Sequence, residues 1–203
     1  MTEIALRPVH LPARATRPTR PILVLVGLAS LVGMRWLATQ RSLSDNVGVG
    51  VLFGFGLLIL AIAAGWRPGL MRRADMAPAL FVGLGGATLL VLMAVATSTP
   101  ATHWTPAASF WPWVAVTVLV ATTQELILRG VVFHGLAAKF GLLGAVVATS
   151  LIFALMHVPA YGWRAVPLDL GVGLMLGGLR VLTGGAAAPA IAHVFADLAT
   201  WWV

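Results

Sequence analysis

The chain has 203 residues, of which 60% are hydrophobic and 9% charged, with a mean hydropathy of +0.96. That balance excludes an ordinary soluble domain and points to a polytopic membrane protein. The net charge of +7 does not signal nucleic acid, because the basic residues fall between apolar spans instead of forming a stripe with interleaved aromatics, and the lack of cysteine rules out disulfides, thiolate nucleophiles and Cys-ligated metals.

The expected fold is all-α, a bundle of about seven transmembrane segments in a single domain over 22–203, with a motif-bearing core at 113–203. Residues 1–21 carry Pro8, Pro12, Pro18 and Pro21 with Arg7, Arg14, Arg17 and Arg20, and read as a disordered basic tail facing lipid headgroups in the cytoplasm. The first apolar run, 22–37, has the length of a signal-peptide core, but its internal Arg35 and the later spans favour a retained helix with Arg35 snorkelling. The second, 47–65, contains Gly48, Gly50, Gly54 and Gly56, which predict close helix contact. A basic loop with Arg67, Arg72 and Arg73 leads to the third, 78–96, and an uncharged stretch with Trp104 and Trp111 leads to the fourth, 113–138. The fifth, 141–157, is stopped by Pro159; the sixth is 166–182 and the last 189–203.

Arginine and lysine are enriched on the cytoplasmic side of membrane proteins. Placing the N-terminus there assigns Arg7, Arg14, Arg17, Arg20, Arg67, Arg72, Arg73, Lys139 and Arg180 to the inside and leaves Arg35, Arg41 and Arg164 outside. The C-terminus is therefore expected outside. Trp36, Trp104, Trp111, Trp113, Trp163, Trp201 and Trp202 would then belt the outer interface, with Trp66 at the inner one.

Polar groups inside the spans can now be given depths. Glu125 lies roughly 21 Å from Lys139 along a helix, and His157 roughly 24 Å from Gly141, so both fall in the outer half of a core about 30 Å thick. The last segment spans only about 22 Å as a helix. Something before it must enter unwound, and Gly184 and Gly185 can supply that backbone where it is buried in protein or lines a wet cavity.

Ionisable residues in apolar spans are costly and usually functional. Glu125 and Arg129 are spaced i,i+4 and can pair, as can His193 and Asp197. A lone histidine at a helix end is more often structural, and an isolated Glu-Arg pair can do no more than fasten two helices. Two histidines, an aspartate and a Glu-Arg pair together favour a reaction centre. His134 falls on another face of its helix, and His10 and His103 lie in loops. Methionines such as Met93, Met156 and Met175 read as packing.

Gln124 and Glu125 with Arg129, then Phe153 with His157, then His193 with Asp197, resemble the motifs of the CPBP family, also called Abi or type II CAAX prenyl endopeptidase-like intramembrane proteases. Those motifs are Glu-Glu-x-x-x-Arg, Phe-x-x-x-His and His-x-x-x-Asn or Asp, in this order on successive helices. The similarity covers roughly 113–203 and implies an all-helical membrane bundle with the site between the motif helices. It further implies endoproteolysis of a membrane protein or lipid-anchored peptide by a water that a glutamate activates, assisted by His157, with His193 and Asp197 steadying the oxyanion. In the family pattern the first glutamate is the presumed base; here that position is Gln124, and an amide cannot accept the proton. Either Glu125 takes over, or the chain binds without cutting, as a membrane-binding or immunity protein. Asp197, if ionised, would repel an oxyanion, so it is expected protonated or engaged in orienting His193.

No cofactor is required on the hydrolytic reading. Glu125, His157, His193 and Asp197 also form a nitrogen and oxygen set suited to zinc, although no His-Glu-x-x-His helix is present. A proton relay or small transporter would use similar residues, but no inverted repeat or paired broken helices accompany them.

The orientation is testable with reporter fusions. A fusion at Val203 is expected to report the outer compartment and one at Lys139 the cytoplasm, and an inward-facing Val203 would reverse the assignment.

Overall fold

A computed structural model describes residues 21–41, 47–67, 73–97 and 109–202 of the chain. Of the basic tail expected over 1–21, residues 1–20 lie outside the described residues, as do Arg72 and Trp104, and Pro21 begins a helix. Among the described residues all regular structure is helical, as the composition requires, because only helices and closed barrels satisfy the backbone within lipid.

In order, α1 is Pro21–Gln40, α2 Val47–Ala63, α3 Arg73–Thr97 and α4 Phe110–Glu125. A wider π-helical stretch, Leu126–Val132, joins α4 to α5, Phe133–Tyr161. A short 3₁₀ turn, Trp163–Ala165, leads to α6, Val166–Thr183, and α7 is Ala187–Ala199. The broadest packing pairs α3 with α7, α5 with α6, and α2 with α4.

Among the described residues four helical stretches, fewer than the expected seven segments, are long and apolar enough to span a membrane; one of them, the 52-residue run Phe110–Tyr161, holds two helical stretches that meet at a kink. The boundary expected between 138 and 141 is present, as a kink at Gly141 in place of a loop. Helix continues on both sides of Gly141, which alone leaves helical geometry with φ 71° and ψ 176°. Straight, the run would extend about 78 Å, well over twice the apolar thickness, so a bend is needed and glycine tolerates that positive φ. Helix α2 has 17 residues and α7 has 13, so α7 is only about 20 Å long. Just before α7, Gly184 is in the left-handed conformation with φ 70°, and 184–186 are non-helical, at the place where unwound backbone was expected.

The helix faces divide by partner. Phe53, Leu57, Ile127, Leu128, Phe153 and Leu176 fill the interior, while Phe81, Leu143 and Leu182 are each more than 75% exposed. On a soluble protein such a surface would aggregate; in a bilayer it meets acyl chains. Small residues bring the helices together. A Cβ on Gly54 would stand 2.7 Å from Leu119 Cγ, and one on Gly56 would stand 2.5 Å from Leu31 Cδ2, which supports the expected close packing of α2. Trp111, Trp113, Trp201 and Trp202 gather around Phe110, with ring centroids 4.8–6.2 Å apart, so the start of α4 and the end of α7 share one end of the bundle.

Gly83 sets the closest approach of α3 to α7. A Cβ there would meet Ile191 Cβ at 2.8 Å and the Ala188 carbonyl oxygen at 2.9 Å, whereas one on Gly85 would meet nothing within 4 Å. Gly83→Ala is therefore expected to destabilise the detergent-solubilised protein by about 1–3 kcal/mol. Gly85→Ala should be neutral or slightly stabilising. Thermal unfolding of the two variants side by side checks the pair, and equal effects would contradict this packing.

Candidate active site

Three helical stretches converge on one polar cluster. The last turn of α4 carries Gln124 and Glu125, the π-helical stretch carries Arg129, and α7 carries His193. Arg129 Nη1 donates to Glu125 Oε1 at 3.0 Å, and His193 Nδ1 donates to the same oxygen at 3.1 Å. Arg129 Nη2 reaches across to α6 and donates to the Gly173 carbonyl at 3.0 Å. Glu125 and Arg129 have no solvent exposure. An isolated buried charge costs several kcal/mol, and here both Nη atoms of the guanidinium have acceptors while Arg129 Nε and Glu125 Oε2 have no hydrogen-bond partner among the described residues.

Local chemistry explains the convergence. Thr123 Oγ1 donates to the Leu119 carbonyl at 2.8 Å, which satisfies the hydroxyl within α4. The backbone then widens: the Phe133 N–H bonds to the Leu128 carbonyl, five residues back. Such a π-helical turn shifts the register of the side chains after it and is common at functional sites. Gly173 lets α6 come close, since a Cβ there would lie 2.9 Å from Ser150 Cα.

The second half of α5 supplies the other histidine. His157 Nδ1 donates to the Phe153 carbonyl at 2.8 Å, which leaves Nε2 as the acceptor of the neutral ring. Phe153 packs between the groups. Its ring lies 4.3 Å from that of His157 and 5.2 Å from that of His193, with the Arg129 guanidinium carbon 4.9 Å from its centroid. The two imidazoles are 6.3 Å apart. Tyr161 stacks on His157 at 5.8 Å and 11°.

A cavity of about 780 Å³ opens against this cluster. Gln124, His157, His193 and Asp197 line it, with an apolar wall that includes Leu90, Val116 and Val120. Asp197 Oδ2 stands 3.4 Å from His193 Nε2, and its side chain is 45% exposed. Thus Glu125 bonds to His193, whose ring lies 6.3 Å from that of His157, but Glu125 and Arg129 are not among the cavity-lining residues. Neighbouring residues on a helix point about 100° apart, so with Gln124 toward the cavity Glu125 turns into the protein.

Several participants were not singled out from the sequence. Arg35, expected to snorkel, instead lies with its guanidinium carbon 5.0 Å from the Phe53 ring centroid and contributes to the cavity wall. Asp169 also lines the cavity. Arg180, counted as a cytoplasmic charge, is only 7% exposed and donates from Nε to the Arg129 carbonyl at 2.8 Å. Intramembrane charge was the available signal for all three, but a single arginine near a helix end looks the same whether it faces headgroups or protein.

Among the described residues no three His, Asp or Glu side chains are disposed to hold one metal ion. The arrangement gives the reason: Glu125 Oε1 already receives a guanidinium, and both nitrogens of His193 face carboxylates.

Residues 106–199 match the family model described as Type II CAAX prenyl endopeptidase Rce1-like. The match begins shortly before α4 and ends with the last residue of α7, so it contains every motif residue and leaves α1 to α3 outside. No curated protein and no solved structure matches the chain.

The Glu125–Arg129 pair is expected to behave as a unit. Arg129→Met, which strands a buried carboxylate, should cost about 3–5 kcal/mol in unfolding free energy. Adding Glu125→Leu to Arg129→Met should recover part of that loss, and strict additivity in denaturant titrations would show the two groups to be uncoupled.

Proposed function

We propose, on the match of residues 106–199 to the type II CAAX prenyl endopeptidase Rce1-like family model, that the chain is a member of that family and an intramembrane endopeptidase. Its substrate is a membrane protein or lipid-anchored peptide, and the attacking water is activated by His157. The observation that carries this reading is the fixed imidazole: with Nδ1–H committed to the Phe153 carbonyl, Nε2 is the nitrogen able to take a proton, on a residue that lines the cavity.

In the proposed reaction His157 Nε2 takes a proton as water oxygen bonds to the scissile carbonyl carbon. The same imidazolium returns that proton to the amide nitrogen as the C–N bond breaks. Gln124 cannot accept the water's proton, but its carboxamide N–H₂ can donate to the developing oxyanion, where scarce water strengthens such bonds. Asp197, beside His193 Nε2, orients that ring. Glu125 is not assigned the base here, since it is sealed from the cavity and one of its oxygens serves both Arg129 and His193. It holds His193 in place.

A second reading rests on the same amide. Gln124 occupies the cavity wall while the neighbouring carboxylate is buried, which also suits a non-catalytic member that binds membrane segments.

Cleavage of a membrane-anchored peptide by the purified chain in liposomes separates the two. His157→Ala is expected to lower kcat by about 10²–10⁴-fold. Gln124→Ala should lower it by about 10²-fold with little change in KM. A chelator should leave turnover unchanged, and loss of activity restored by zinc would overturn the metal-free mechanism. If the native chain cleaves nothing and Gln124→Glu alone creates activity, the binding reading replaces the hydrolytic one.

A further inference from the structure

Arg180 is buried in a segment outside the three motifs, and no step of the proposed hydrolysis uses it. Its surroundings are specific. Nε donates to the Arg129 main-chain carbonyl at 2.8 Å, and the guanidinium carbon lies 5.0 Å from the centre of the Phe133 ring. Phe133 is the first residue of α5 after the π-helical stretch and is 1% exposed. Arg180 therefore contacts that stretch both within it and at its exit.

The contact is reciprocated. The side chain of Arg129 donates to the α6 backbone at Gly173, while the side chain of Arg180 on α6 donates to the backbone of Arg129. Gly173 and Arg180 are two turns apart on α6, about 10.5 Å along its axis. Two attachments at that separation resist both sliding and rotation of Leu126–Val132 against α6; either one alone would leave a pivot. The constraint matters because a π-helical turn holds an extra residue relative to α-helix, and relaxing it changes the phase of one flank against the other by about 100° per residue. That angle separates Gln124 from Glu125 around α4.

We propose that Arg180 is a positioning residue for the active site: through its Nε–H bond to the Arg129 carbonyl it keeps Leu126–Val132 in the π-helical register that presents Gln124 to the cavity and turns Glu125 toward Arg129 and His193. Its effect on turnover rests on the hydrolytic reading above; its effect on register does not.

Two substitutions separate the hydrogen bond from the charge. Glutamine places an amide nitrogen where arginine has Nε and removes the charge, whereas lysine keeps the charge and places a methylene there. Turnover is read with the membrane-anchored peptide. Arg180→Lys is expected to lower kcat by about 10²-fold with KM within about twofold, the loss typical of a misplacement near 1 Å, while Arg180→Gln retains most of the native kcat.

Register is read independently, because the chain contains no cysteine to interfere. Val120 lines the cavity and Ala121 is fully buried. With a charged methanethiosulfonate reagent, Val120→Cys should react readily and Ala121→Cys slowly. The ratio of the two rates should fall about tenfold in the Arg180→Lys background, as α4 turns toward the next residue's face, and hold in Arg180→Gln. An unchanged ratio in Arg180→Lys overturns the positioning role, as does a larger loss in Arg180→Gln than in Arg180→Lys. If neither variant yields folded protein, Arg180 serves folding and the proposal fails. Should the native chain cleave nothing, the hydrolytic reading falls while the thiol ratio still decides the register.

Discussion

The buried guanidinium of Arg129 is the constraint on which the arrangement of the second half of the chain depends. A permanent cation enclosed by apolar helices must find acceptors, and the acceptors it finds lie on different elements: the Glu125 carboxylate at the end of α4 and the Gly173 carbonyl on α6. The face of Phe153 on α5 lies against it as well. Glu125 then extends the network to α7 through His193. Four helices are thereby held in mutual orientation by one residue and its partners. Packing of aliphatic side chains against one another could not specify that orientation as narrowly, since in lipid the alternative contacts are equally apolar.

The network divides two adjacent residues between unlike tasks. Glu125 is consumed in the protein interior, and Gln124 meets the cavity. The family pattern that these positions resemble has a carboxylate at both. Replacing the cavity-facing one by an amide leaves the internal network intact and changes only the chemistry offered to whatever enters. An amide is a donor as well as an acceptor, so in the proposed reaction that position stabilises the oxyanion and the imidazole of His157 is the base. Scaffold and chemistry are thus separable here to within a single peptide unit.

Charges in the apolar segments serve three different purposes that composition does not distinguish. Lys139 is exposed near the kink at Gly141, where it meets the surroundings of the protein. Arg35 lies over the Phe53 ring and enters the cavity wall from α1, outside the stretch that matches the family. Arg180 is an internal brace. A tally of basic residues by alternate loops treats all three alike, and its margin narrows once Arg180 is removed from the cytoplasmic side. The π-helical turn was equally hidden, because Leu126–Val132 is as apolar and as helix-compatible as its neighbours, and the side chain that bonds to its backbone comes from another element.

The amino-acid order by itself determined that this is a helical membrane protein. It also determined which residues would gather: unbroken apolar runs leave the backbone no partner but itself, and a carboxylate, a guanidinium and two imidazoles within them have nowhere favourable to go except to one another. Tertiary structure decided which of Gln124 and Glu125 faces the cavity. It joined the fourth and fifth spans by a kink at Gly141 with no loop between them, and turned Arg180 inward. Those outcomes depend on rotation about helix axes and on the separation between helices, which arise from contacts among segments far apart in the chain. Hydropathy and spacing record only what lies along one segment, so they constrain the membership of the site and not its facing.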